Sequence, residues 1–116
     1  MVPRRILKPV PDFDGYFADR GGCIWSAKRM PGTEPERMSA SDGDIQLSDG
    51  GRVRRRVADL VWTAFNGYPP HGFRVVQRNY NHTDNRLINL VALPPREYRE
   101  WKRGRMNWLR DQKKAA

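Results

Sequence analysis

The chain has 116 residues, 38% hydrophobic and 30% charged, with four Trp, four Tyr and four Phe. That is enough apolar surface to exclude wholesale disorder and too little length for two independent cores, so one compact unit over 1–116 is expected. The net charge of +9 is unevenly placed: residues 1–51 carry 7 Lys/Arg against 8 Asp/Glu, and residues 52–116 carry 15 against 5. A single cysteine, Cys23, with His71 and His82 as the two histidines, excludes an internal disulfide and any Cys/His zinc spacing. No run is long and apolar enough for a membrane span or a signal-peptide core, so no membrane partner is expected and a cytoplasmic location is, in bacterial cytosol or nucleoid. No metal and no cofactor are expected.

From the N-terminus, residues 1–8 read as a basic tail. Pro9 to Gly15 is an extended stretch closed by an Asp-Gly turn. Tyr16-Phe17-Ala18 and Cys23-Ile24-Trp25-Ser26 flank an Asp-Arg-Gly-Gly turn and predict a short β-hairpin. Residues 27–43, rich in Pro, Gly and Ser/Thr and without periodicity, predict a loop. Ile45 to Ser48 alternates apolar and polar, and Asp49-Gly50-Gly51 turns the chain into Arg52-Val53-Arg54, a second hairpin.

At Val57 the period changes. Val57, Leu60, Val61, Ala64 and Phe65 share one helical face, and Asn66-Gly67 supplies a stop. After the Pro69–Gly72 turn, Phe73 to Val76 predicts a strand and residues 78–85 a polar loop, and Leu87, Leu90, Ala92 and Leu93 return to the core. Pro94-Pro95 opens a helix running to about Gln112. At about 100° per residue, Tyr98, Trp101, Trp108 and Leu109 form an aromatic face expected to pack on the domain. Arg96, Arg99, Arg103, Arg110 and Lys114 form a separate basic face. Positive charge clustered in this way is the footprint of a polyanion partner.

In order and spacing, these elements resemble a known family. Residues 8–17 (KPVPDFDGYF) and 22–29 (GCIWSAKR) look like the small DNA-associated module that precedes the nuclease domain in phage and intron-encoded HNH homing endonucleases. Residues 57–65 (VADLVWTAF) are similar to that family's VHRLVxxAF helix, and 84–90 (DNRLINL) to its NNrxxNL segment. The resemblance implies an α+β fold: N-terminal hairpins over 8–51, a degenerate ββα-metal core over 52–98, and a C-terminal basic amphipathic helix over 94–113.

It also implies where chemistry would sit. An HNH site uses a strand histidine as general base, a neighbouring Asp or Asn, and a His or Asn on the following helix to hold one divalent cation against the scissile phosphate. Counting along the motif, the base position falls on Gln77, which has no titratable acceptor, its neighbour on Val76, the helix ligand on Tyr98, and the first-helix histidine on Ala58. Asn89 alone keeps the pattern and is expected to brace the loop. His82, five residues beyond Gln77, is expected to lie off the strand that aims a base, so that a site rebuilt from His82 or Asp84 stands only as an alternative.

The expectation is therefore a protein that is not an enzyme and that binds nucleic acid, double-stranded DNA first, as a regulator of phage origin. The phosphate contacts would come from Arg54, Arg55, Arg56, Arg74, Arg78 and Arg86, and from the helix residues Arg96, Arg99, Arg103 and Arg110. Two or three of the first six are expected to pair with acids such as Asp59 or Asp84. An adaptor or inhibitor acting on a host protein complex is the other alternative. The oligomeric state is left open.

Overall fold

The computed structural model describes residues 6–27 and 34–115. Its centre is the helix α1 (Val57–Asn66), whose apolar period places Val57, Leu60 and Val61 at 3% exposure or less. Ala58 and Thr63 are buried beside them, so the covered face is wider than the period alone requires. Gly67 closes the helix, donating its N–H to the Thr63 carbonyl at 2.9 Å.

Three small antiparallel sheets surround α1. The first holds β1 (Lys8–Pro9), β2 (Tyr16–Ala18), β3 (Ile24–Ser26) and β4 (Glu36–Arg37) in that order. It is larger than the predicted hairpin. Lys8 pairs with Ala18 and so belongs to a strand, not to a basic tail. Glu36 and Arg37 pair with Ser26 and Trp25, making a strand out of part of the predicted 27–43 loop. Both strands are only two residues long, too short to show a period of two. Residues 1–5 of the predicted tail and the loop residues 28–33 lie outside the described residues.

The second sheet is the predicted hairpin, β5 (Asp44–Ser48) with β6 (Arg52–Arg56), running two residues past Arg54 to meet α1 directly. Ile45 and Leu47 point into the core while Gln46 and Ser48 face solvent. The third sheet pairs β7 (Arg74–Gln77) with β8 (Leu90–Leu93), the loop between them ending in a single 3₁₀ turn over Leu87–Asn89. The long helix α2 (Pro95–Ala115) follows β8. One apolar cluster joins the parts, from Val10, Tyr16 and Ile24 through α1 to Val75 and Leu90.

Two contacts set the β7–β8 loop against the N-terminal sheets. Gly22 (φ +90°) sits where a Cβ would come within 2.6 Å of the Asn85 carbonyl carbon, and Gly43 (φ +84°) where one would come equally close to the His82 carbonyl oxygen. In both places the neighbour is backbone and cannot rotate away. Asp19, 1% exposed, orders the turn before Gly22, its carboxylate accepting hydrogen bonds from the Cys23 N–H at 3.0 Å and the Trp25 indole N–H at 2.9 Å. Gly22→Ala is expected to destabilise the protein by about 1–3 kcal/mol through left-handed strain and overlap, with a lowered midpoint in urea as the measurement.

Candidate nucleic-acid cleft

The loop between β7 and β8 carries four Asn and an Asp, and their short polar side chains hydrogen-bond locally instead of extending a strand. Asn89, 6% exposed, is its anchor. Its amide donates to the Asn79 side-chain oxygen at 2.9 Å and to the Asp84 carbonyl at 2.8 Å, and its own oxygen accepts from the Asn79 N–H at 3.2 Å. Gln77, 3% exposed, donates to the Asn85 side-chain oxygen at 2.8 Å. Asp84 takes a two-pronged guanidinium contact from Arg86, both hydrogen bonds at 2.8 Å, and these hold its carboxyl below the ordinary aspartate value.

The ordered loop places Tyr80 and His82 beneath α2. Tyr80 has a left-handed backbone (φ 67°), uncommon for a bulky side chain. Its ring packs against Trp101 and Trp108, with centroids 5.6 and 6.4 Å apart. The Trp101 indole N–H donates to the Gln77 carbonyl at 2.8 Å, and the Arg105 Nε donates to the Tyr80 carbonyl at 3.1 Å. The aromatic face of α2 does pack on the domain, but Trp101 and Trp108 remain half-buried because one loop and one sheet edge are all that cover them.

Between β7 and α2 lies a cleft of about 460 Å³. Four cationic side chains line it, Arg56, Arg74, Lys102 and Arg105, and no carboxylate does among the described residues. The floor includes Val76, Gln77 and Tyr98. Arg74 and Lys102 lie over the Tyr98 ring, 5.3 and 4.9 Å from its centroid, and Tyr98 stacks on Trp101 at 6.0 Å and 17°. His82 faces the same cleft. Its Nε2 lies 2.5 Å from the Asp42 carboxylate and its Nδ1 lies 3.4 Å from an Arg105 N–H. A guanidinium can only donate, so the Arg105 contact is a hydrogen bond when Nδ1 carries no proton. Hydrogen bonding and charge from His82 hold the Asp42 carboxyl below its ordinary value.

The positions singled out in the sequence separate into distinct environments. Ala58 is buried in α1, away from the cleft lining, whereas Gln77 and Tyr98 are brought together in it. His82 lies off β7, in the loop, and that loop folds back so that His82 also lines the cleft that Gln77 lines. Among the six core arginines, Arg54 pairs with Asp44 at 3.1 Å, Arg56 with Asp59 at 3.2 Å and Arg86 with Asp84. Arg56 also donates to the Val75 carbonyl at 2.9 Å, tying the start of α1 to β7. The Asp59 carboxyl is pushed up by burial, against the pull of Arg56 and Arg74. Arg55 lies over the Phe13 ring at 5.5 Å, and Arg78 is exposed. On α2, Arg96, Arg99, Arg103 and Arg110 are all exposed.

Lys102 and Arg105 were not singled out in the sequence, although at 100° per residue Arg105 falls inside the aromatic sector. A charged residue in that sector is itself a sign of a polar cleft beneath the helix.

Residues 56–99 match a family model described as HNH endonuclease. Residues 56–99 belong to the HNH endonuclease family. The expectation that the chain is not an enzyme is thereby overturned, since its core is that of a nuclease family. A search of curated proteins finds no match. A solved structure concerned with DNA binding and cleavage by the HNH homing endonuclease I-HmuI is similar over 95% of this chain, with a TM-score of 0.69 and 22% identity. The chain spans 66% of that structure's length. The likeness establishes the α+β fold, from N-terminal strands to C-terminal helix.

The divalent cation that an HNH fold implies does not fit the residues at these positions. Val76 offers no side-chain donor atom, Gln77 is buried and its side chain is turned to brace Asn85, and Tyr98 lies under two cations. Asn89 is engaged with Asn79 and Asp84. No group of three or more His, Cys, Asp or Glu is placed for a metal among the described residues. Nor is any helix among them long and apolar enough to cross a membrane.

A Cβ at position 104 would overlap the Tyr80 hydroxyl, so Gly104 is where the loop and α2 touch. Gly→Ala inside an isolated helix is worth about 1 kcal/mol in favour of Ala. Gly104→Ala is expected to gain none of it and to displace the Tyr80 ring, read as an unraised melting temperature and an altered Trp fluorescence spectrum.

Proposed function

We propose that this chain acts on duplex DNA, holding the backbone with the cleft and with the exposed arginine face of α2. The observation that carries this reading is the cleft between β7 and α2, lined by four cations and no carboxylate among the described residues. Such a surface concentrates positive potential where a phosphate chain can enter, and releasing condensed counterions favours the complex. Support for DNA in particular comes from the likeness to I-HmuI, an HNH homing endonuclease that binds and cleaves DNA.

Strand scission, in this reading, draws on His82. In the neutral tautomer with its proton on Nε2, Nδ1 is the acceptor, held only weakly by Arg105 at 3.4 Å, while Asp42 orients the ring from the other side. A water at Nδ1 would give its proton to the imidazole as its oxygen adds to phosphorus and the P–O bond to the leaving strand breaks. The leaving oxygen takes its proton from solvent. Gln77 has no comparable proton acceptor and serves as a brace to Asn85.

Charge reversal at Arg96, Arg99 and Arg103 together is expected to weaken binding to a 20-base-pair duplex by more than tenfold without lowering the melting temperature, measured by fluorescence anisotropy and thermal denaturation. Nicking of supercoiled plasmid is expected to survive Gln77→Ala and to be lost in His82→Ala. The reverse pattern would return the chemistry to position 77.

A further inference from the structure

The cations of the cleft stand where the HNH fold would keep a metal site, and this suggests what replaces the metal's hold on phosphate. By the motif count the family's helix ligand falls near Tyr98, whose ring draws Arg74 and Lys102 to within 5.3 and 4.9 Å of one point. Neither cation has an ion-pair partner among the described residues, and both are exposed. Both line one cleft, and an anion placed between two like charges offsets their repulsion. Arg105 is fixed at the back of the same cleft by the Tyr80 carbonyl and by His82. Arg56 is engaged by Asp59 and the Val75 carbonyl and forms the wall. The acceptor-rich carboxylates that would recruit a divalent cation are missing from the lining among the described residues, and donors for a phosphate oxygen take up the space.

Resting on the DNA reading above, we infer that Arg74 and Lys102, held by the Tyr98 ring and backed by Arg105, form a phosphodiester-binding seat that needs no divalent cation. The ligand class is a nucleic-acid backbone phosphate. The cation–π contacts give the two flexible side chains a common position before phosphate arrives, which reduces the ordering cost of binding.

The test is anisotropy of a fluorescent 20-base-pair duplex with the full chain, titrated in EDTA and again in millimolar Mg²⁺, across a salt series. Affinity in EDTA is expected to equal that in Mg²⁺ or to exceed it, since Mg²⁺ competes for the phosphates. The double variant Arg74→Glu/Lys102→Glu is expected to bind more than tenfold more weakly, and Arg74→Gln/Lys102→Gln is expected to flatten the log–log salt slope by about 2, one neutralised phosphate for each cation. Arg74→Lys/Lys102→Arg, which keeps both charges, is expected to retain binding within a few fold. Binding that vanishes in EDTA and returns with Mg²⁺ overturns the seat while leaving DNA binding standing. Metal-independent binding that is indifferent to the Glu pair also overturns it, placing the phosphate elsewhere. No binding under either condition overturns the DNA reading itself, and the seat with it.

Discussion

The buried Asn89 carboxamide joins the two ends of the β7–β8 loop, bonding Asn79 on one side and Asp84 on the other. The loop it closes has few apolar side chains of its own to bury, so hydrogen bonds must set its shape. That shape decides where Tyr80 and His82 stand. Tyr80, strained at φ 67°, lays its ring on Trp101 and Trp108 and so seats α2. His82 is turned back toward β7. The cleft depends on a polar loop shaped by side-chain hydrogen bonds, with those of Asn89 at its centre.

Electrostatics gives the cleft its character. In the first half of the chain acids and bases nearly balance, and the excess charge of the second half comes to a focus between β7 and α2. Several arginines are spent on architecture: Arg54 on Asp44, Arg56 on Asp59 and the Val75 carbonyl, Arg86 on Asp84. Those left without acidic partners among the described residues are placed differently, Arg74 over an aromatic ring and Arg78, Arg96, Arg99, Arg103 and Arg110 at the surface. A count of arginines could not have made this division, because pairing depends on which acid the fold brings within reach.

Where the sequence reading succeeded, the signal was local. The period of α1 was visible because five apolar residues repeat on one face, and the hairpin of β5 and β6 because alternation meets a Gly-Gly turn. The Asn89 position was legible from its motif, down to its bracing role. Strands β1 and β4 escaped notice since two residues carry no period and owe their conformation to the neighbour they pair with. Gly104, of a residue type that weakens a helix interior, is the point at which Tyr80 needs room.

The sequence by itself determined the class of fold, the resemblance to HNH endonucleases, the basic bias of the second half and the side chains present at each position of the motif. These follow from short-range pattern and composition, which any reader of the chain can count. Only the tertiary structure decided that His82 returns to the cleft with Asp42, forty residues earlier in the chain, at its back. It also decided that Arg74 and Lys102 meet over one ring. Both outcomes depend on contacts between distant segments, Gly43 against the His82 backbone and α2 against Tyr80, and no local period encodes such contacts.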